Sequence, residues 1–116
     1  MQYLLLIYSP ESHWESMPEL EKKKIYEQYR ELIAELQKDG KFLGGHELQP
    51  TASATTVRVR NGKKSVTDGP FAETKEHLGG YFLVEAKDLD EAMSIAARIP
   101  SATAGSIEVR PVMLNS

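Results

Sequence analysis

The segment V-T-D-G-P-F-A-E-T-K-E, residues 66–76, crowds Asp68, Glu73, Lys75 and Glu76 around one bend, and these side chains have the types needed to hold a ligand or move a proton. A carboxylate serves as a general base, its acid returns the proton, and an ammonium stabilises an anion. Gly69-Pro70 supplies the bend, because glycine reaches backbone angles closed to other residues and proline restricts the residue before it. Asp68 orders such a turn by accepting nearby backbone N–H groups. A turn gains little from Glu73, Lys75 and Glu76, since exposed ion pairs contribute only about 0–1 kcal/mol. The surplus charge favours a cleft rim, a common use of loops held by rigid strands. In that reading Asp68 and Glu73 are acceptors or a general base, and Lys75 with Arg58 holds an anion. Gly69, Pro70, Phe71 and Glu76 complete the ligand-binding rim. The plainer alternative has Asp68 ordering the turn, Phe71 filling a pocket in the core or a dimer interface, and the other charges solvated.

Among three histidines, His46 is the best general acid-base candidate, because it follows Gly44-Gly45 on an expected strand beside Glu47. His13 and His77 read as surface or capping residues. No pair has H-x-x-x-H spacing and there is no cysteine, so neither a metal site nor a cofactor is expected. Gly79-Gly80 opens a strand and lacks G-x-G-x-x-G spacing, which indicates close backbone approach or a bulge instead of phosphate binding.

The elements that must position these residues follow from periodicity. Residues 2–8 are apolar on both faces, as in a central strand. A polar loop follows, and Ser16 and Glu19 have the spacing of a capping box. Ile25, Tyr29, Leu32, Ile33 and Leu36 then mark one face of a helix that stops at Asp39-Gly40. Residues 41–48 form a glycine-interrupted strand, and Q-P-T-A-S-A is a linker. T-T-V-R-V-R alternates up to Asn61-Gly62, a hairpin turn that pairs Arg60 with Lys63, Val59 with Lys64, Arg58 with Ser65 and Val57 with Val66. Residues 79–86 form another apolar strand. Asp88 and Glu91 again have capping-box spacing, ahead of a helix with Leu89, Ala92, Met93, Ala96 and Ile99 on one face. Pro100 ends that helix, and Ser106 to Val112 is the last strand. This order predicts a single α+β domain over residues 1–116, a ferredoxin-like sandwich with two helices on one face of an antiparallel sheet. Apolar residues on both faces of the central strands predict that the bare side is covered by a second copy, in a homodimer.

Composition narrows the classes. With 41% hydrophobic and 27% charged residues the chain is an ordinary globular one. A net charge of −3 with dispersed basic residues argues against direct nucleic-acid binding. The opening apolar run lacks the length and basic flank of a signal or a membrane span, so a cytoplasmic protein is expected.

The pieces Y-L-L-L-I-Y, G-x-x-L-x-P around Leu48, T-V-R-V-R-N-G, V-T-D-G-P-F-A-E-T-K-E-x-L-G-G-Y and A-A-R-I-P with G-S-I-E-V-R-P span nearly the whole chain. On these the protein resembles the YCII-related family, in its DGPF branch. The resemblance implies a ferredoxin-like, dimeric α/β-barrel fold. Many members carry a histidine in the first long helix and an aspartate before the last strand, but the matching positions here are near Tyr29 and Ile99, so a His–Asp mechanism is not carried over. DGPF proteins also resemble partners of extracytoplasmic-function sigma factors. Three readings stand at this point: a small-molecule binding or enzymatic domain, a non-catalytic module acting on a sigma factor or another protein, and a structural homodimer whose turn serves folding alone.

Overall fold

The computed structural model describes residues 1–114. Its elements run β1 (Gln2–Ser9), α1 (Glu11–Glu15), α2 (Glu19–Lys38), β2 (Phe42–Glu47), β3 (Thr55–Arg60), β4 (Lys63–Asp68), β5 (His77–Glu85), α3 (Leu89–Arg98) and β6 (Ser106–Pro111). β2, β5, β1 and β6 form one sheet in that order, and every neighbouring pair is antiparallel. This is the ferredoxin-like α+β arrangement expected from the element order, with the β3–β4 hairpin inserted as a separate two-stranded sheet.

Alternation along β1 sends Tyr3, Leu5 and Ile7 to one face, where all three are buried. Phe82 and Val84 of β5 join them, together with Leu32 and Leu36 of α2 and Ala92, Ile95 and Ala96 of α3. The helices therefore cover a single face. Tyr29, Ile33 and Phe42 close the edges of this core, and the rings of Tyr29 and Phe42 meet Phe82 edge to face.

Three local expectations need correction. The polar loop after β1 contains the short helix α1, and Ser16 does not cap α2. Its hydroxyl donates to the His13 carbonyl while Pro18 opens α2 with its side chain unable to cap. On α3 the buried stripe is Ala92, Ile95, Ala96 and Ile99, whereas Leu89 and Met93 are about half exposed because the sheet ends at the edge strand β6 beneath them. The second capping site holds: Asp88 Oδ1 accepts the Glu91 N–H at 2.9 Å.

The hairpin register agrees with the sequence pair by pair, from Arg60–Lys63 to Val57–Val66. Asn61 and Gly62 have φ of 53° and 75°, the left-handed pair that a two-residue turn requires. Close backbone approach accounts for the second glycine of each doublet. A side chain at Gly45 would start 2.7 Å from the Tyr81 carbonyl oxygen, and one at Gly80 would start 2.9 Å from that of His46. The register also shifts at Ile7/Tyr8, opposite residues 78–80.

Candidate functional site

Cross-strand register places a mixed group of side chains on the sheet face opposite the helices. Leu4 and Leu6 alternate with the buried residues of β1 and stand opposite Leu83 and Tyr81 of β5, while His46 of β2 stands opposite Tyr81 on the other side. His46 Nδ1 lies 2.9 Å from the Tyr81 hydroxyl, with the rings tilted and 5.8 Å apart. That bond engages Nδ1 and leaves Nε2 as the ring nitrogen a ligand would meet. Across β1, Leu6 faces Glu108 and Leu4 faces Arg110, and these two β6 side chains form an ion pair on the same side. One row further, Ser106 stands opposite Tyr8, and its hydroxyl donates to both carboxylate oxygens of Glu76, at 3.2 and 3.0 Å. The face thus has an apolar floor of leucines with polar groups at its margins.

Glu76 is the one member of the charged bend that touches this face. The rest of the bend belongs to the hairpin. Gly69, at φ 89°, donates its N–H to the Ala54 carbonyl at 2.7 Å and accepts the Thr56 hydroxyl on its own carbonyl at 2.7 Å. Arg58 reaches the Phe71 carbonyl at 3.5 Å. Asp68, Pro70, Phe71, Glu73 and Lys75 are exposed. The Thr74 hydroxyl donates to the Glu76 carbonyl, which turns the chain into β5. The start of the bend is therefore stapled to the base of β3 through Gly69, and its end is held at the main sheet through Glu76.

Two concavities of the described surface lie elsewhere. One, of about 710 Å³, runs along α2 past Lys22, Tyr26 and Arg30 and is walled by Trp14. The other, about 490 Å³, is an apolar groove between α3 and β6 beside Met93, Ile107 and Val109. Neither is lined by residues 66–76. His13 lies on α1, and His77 pairs with Ser9 in the sheet with its Nδ1 buried and unbonded. Among the described residues no group of three or more His, Cys, Asp or Glu side chains is placed to hold a metal ion.

Several polar contacts were not foreseen. The Tyr81 hydroxyl partners His46; the signal was the glycine before each member of the pair, legible only once β2 and β5 are known to be neighbours. Tyr26 donates to both Glu47 carboxylate oxygens, at 3.1 and 3.0 Å, and burial, with Glu47 second, pushes its phenol above the ordinary value. Burial also pushes Tyr29 up, while Ser101, whose hydroxyl lies 2.6 Å from the phenol oxygen, pulls the other way. Glu11 is held below the usual carboxylate value, first by the Thr51 N–H at 2.8 Å.

A ferredoxin-like α+β sandwich with a bared sheet face and a side arm is the class these observations define. The chain belongs to the YCII-related domain family, whose sequence profile matches residues 1–115. It is similar to an uncharacterized protein of Rhizobium meliloti (strain 1021), with 36% identity over 116 residues that cover 98% of this chain and 94% of that protein. Among the described residues no helix is long and apolar enough to cross a membrane.

Proposed function

We propose that this protein is a small-molecule binding or enzymatic domain that works as a homodimer, with the bared sheet face as the floor of its site. The observation that carries the reading is the His46–Tyr81 contact on a face that the chain's own helices leave open. A histidine accepts and releases protons near neutral pH, and a phenol bonded to one ring nitrogen fixes the orientation of the other. A ligand lying over Leu4, Leu6 and Leu83 would meet His46 Nε2 at one margin and the Glu108–Arg110 pair at the other. Glu76 belongs to the same margin through Ser106. Asp68, Glu73 and Lys75 become rim groups once a second surface closes over the face, with Arg58 holding the bend that carries them. Sheets that stack about 10 Å apart fill the gap with their own side chains, so a ligand would sit at the polar margins of the face.

The test is a titration followed by amide NMR, using a library of small carboxylic-acid fragments. Binding fragments should shift the amides of residues 44–47 and 69–76 together, and His46→Ala should abolish those shifts without changing the melting temperature. Shifts confined to other surfaces, or unaffected by His46→Ala, would overturn the reading.

A second reading, a regulatory module acting on another protein such as a sigma factor, draws on the exposed apolar residues of the hairpin. In this reading the dimer surface receives the other protein, and alanine at Glu73 and Lys75 should lose partner binding with melting unchanged.

A further inference from the structure

The β3–β4 hairpin is a ribbon with one greasy side and nothing on it. Val57 and Val66 face each other and share that side with Val59, and the three are 58%, 58% and 60% exposed; Phe71, on the bend stapled to the ribbon, is 79% exposed. Lys64 stands opposite Val59 on the same side, and Arg58, Arg60 and Lys63 take the opposite side by alternation. Neither strand pairs with the main sheet. A two-stranded ribbon standing alone is marginally stable in water at best, so this one is built to rest on something.

The whole chain carries the same mark. Its accessible surface is 8307 Å², against roughly 6,300 Å² for a compact monomer of 13.0 kDa. Its radius of gyration is 16.1 Å, against about 13 Å for a compact chain of this length. The molecule measures 47 × 47 × 19 Å, a slab, and the ribbon packs extensively on no other strand or helix among the described residues. The excess of about 2,000 Å² per chain is the area that each half of an obligate interface removes from water. Charge points to the identity of the other half. Residues 55–68 hold four basic side chains and one acidic, a formal +3, in a chain whose total is −3, so the remainder carries −6. The basic side chains face mostly away from the valines, so their charge acts as long-range attraction between a basic arm and an acidic second copy, and a two-fold axis satisfies both arms at once.

We infer that the β3–β4 ribbon is a reciprocal clasp: each copy lays Val57, Val59, Val66 and Phe71 on its partner and brings Glu73 and Lys75 to the rim of the partner's His46–Tyr81 face. This builds on the homodimer of the proposed function and adds that each site is completed in trans. The bend is charged because it serves another chain's site, and it is stapled to β3 through Gly69 because arm and bend must cross together.

Light scattering on the full-length protein should give the mass of two chains. Val57→Lys with Val66→Lys, both on a ribbon outside the core, should halve that mass and leave the circular dichroism of the sandwich unchanged. In mixed dimers of isotope-labelled and unlabelled chains, Overhauser contacts should run from the valine methyls of one chain to the other, and from residues 71–75 to the partner's His46 and Tyr81 rings. A single-chain mass, or a dimer whose ribbon contacts are all internal, overturns the clasp. A dimer that survives the double lysine change also overturns it, while leaving sheet-to-sheet pairing intact. The fragment titration reads ligand binding separately, so a failed titration with the interchain contacts present removes only the ligand reading.

Discussion

The hydroxyl of Tyr29 in α2 lies 2.6 Å from that of Ser101, in the 3₁₀ turn Pro100–Thr103 after α3, and so ties together segments 72 residues apart in sequence. The tie occupies the neighbourhood in which the family resemblance implies a histidine and an aspartate. Here it is a neutral bond between hydroxyls, consistent with a structural role. Tyr29→Phe keeps the ring against Phe82 and removes the bond, so it should cost about 1 kcal/mol, read by urea denaturation. Its pH dependence gives a second check. Burial holds the phenol above its ordinary value of 10.0, so the folded state keeps a proton that the unfolded state loses. Stability must then fall as pH rises past about 10, and Tyr29→Phe should flatten that part of the profile.

Gly44 and Gly45 are indistinguishable by type, yet the structure separates them. A methyl group at Gly44 meets nothing within 4 Å, whereas one at Gly45 would begin 2.7 Å from the Tyr81 carbonyl oxygen and 3.0 Å from the Phe82 ring. Gly45→Ala should therefore destabilise by about 1–3 kcal/mol, the usual cost of forcing atoms into a packed site. Gly44→Ala should fall within about 0.5 kcal/mol of the parent. Equal losses for the two would contradict the β2–β5 register.

Much of this architecture was legible in advance because periodicity and turn chemistry are local. The alternation of β1, the stripe on α2 and the Asn61-Gly62 register each depend on a few consecutive residues. The failures have a different cause. Leu89 and Met93 continue the apolar pattern of α3, but whether that flank is covered depends on where the sheet ends, which is set by strand order. Ser16 has the right spacing for a cap, and Pro18, already shaped for helix entry, displaced it. The candidate site was half visible. His46 could be singled out by type and position, while its partner Tyr81 depends on which strands are neighbours. The charged bend was recognised as unusual, but its attachment to the ribbon through Thr56 and Gly69 is a tertiary fact.

Acid sensitivity should trace in part to Glu91. Its carboxylate accepts the Lys87 N–H at 3.1 Å and the Lys41 ammonium at 3.2 Å, and the first of these does most to hold it below the ordinary value of 4.5. A carboxylate lowered in the folded state contributes stability that is present above its unfolded value and lost as pH falls through the folded one. Thermal melts of the parent should therefore decline below about pH 4.5, and Glu91→Gln should show a shallower decline from a lower start. Asp88→Ala, which removes the cap on the Glu91 N–H, should cost about 1 kcal/mol at neutral pH.

His46 and Tyr81 separate a working site from a packing contact. His46 is exposed, so its bond to the Tyr81 hydroxyl competes with water and holds little of the fold. His46→Ala and Tyr81→Phe, singly and together, should each leave stability within about 0.5 kcal/mol of the parent. Fragment affinity should respond differently. On the proposed reading, removing the imidazole takes away the group that would meet the ligand, whereas removing the phenol oxygen frees the ring to rotate and keeps its nitrogens. His46→Ala should therefore lose at least about tenfold in affinity, and Tyr81→Phe a smaller factor. The double variant should be no worse than His46→Ala, because a tyrosine that acts by orienting the imidazole has nothing left to orient. Additive losses would mean that Tyr81 contacts the ligand by itself, and the pair would then be two independent binding groups on one sheet face.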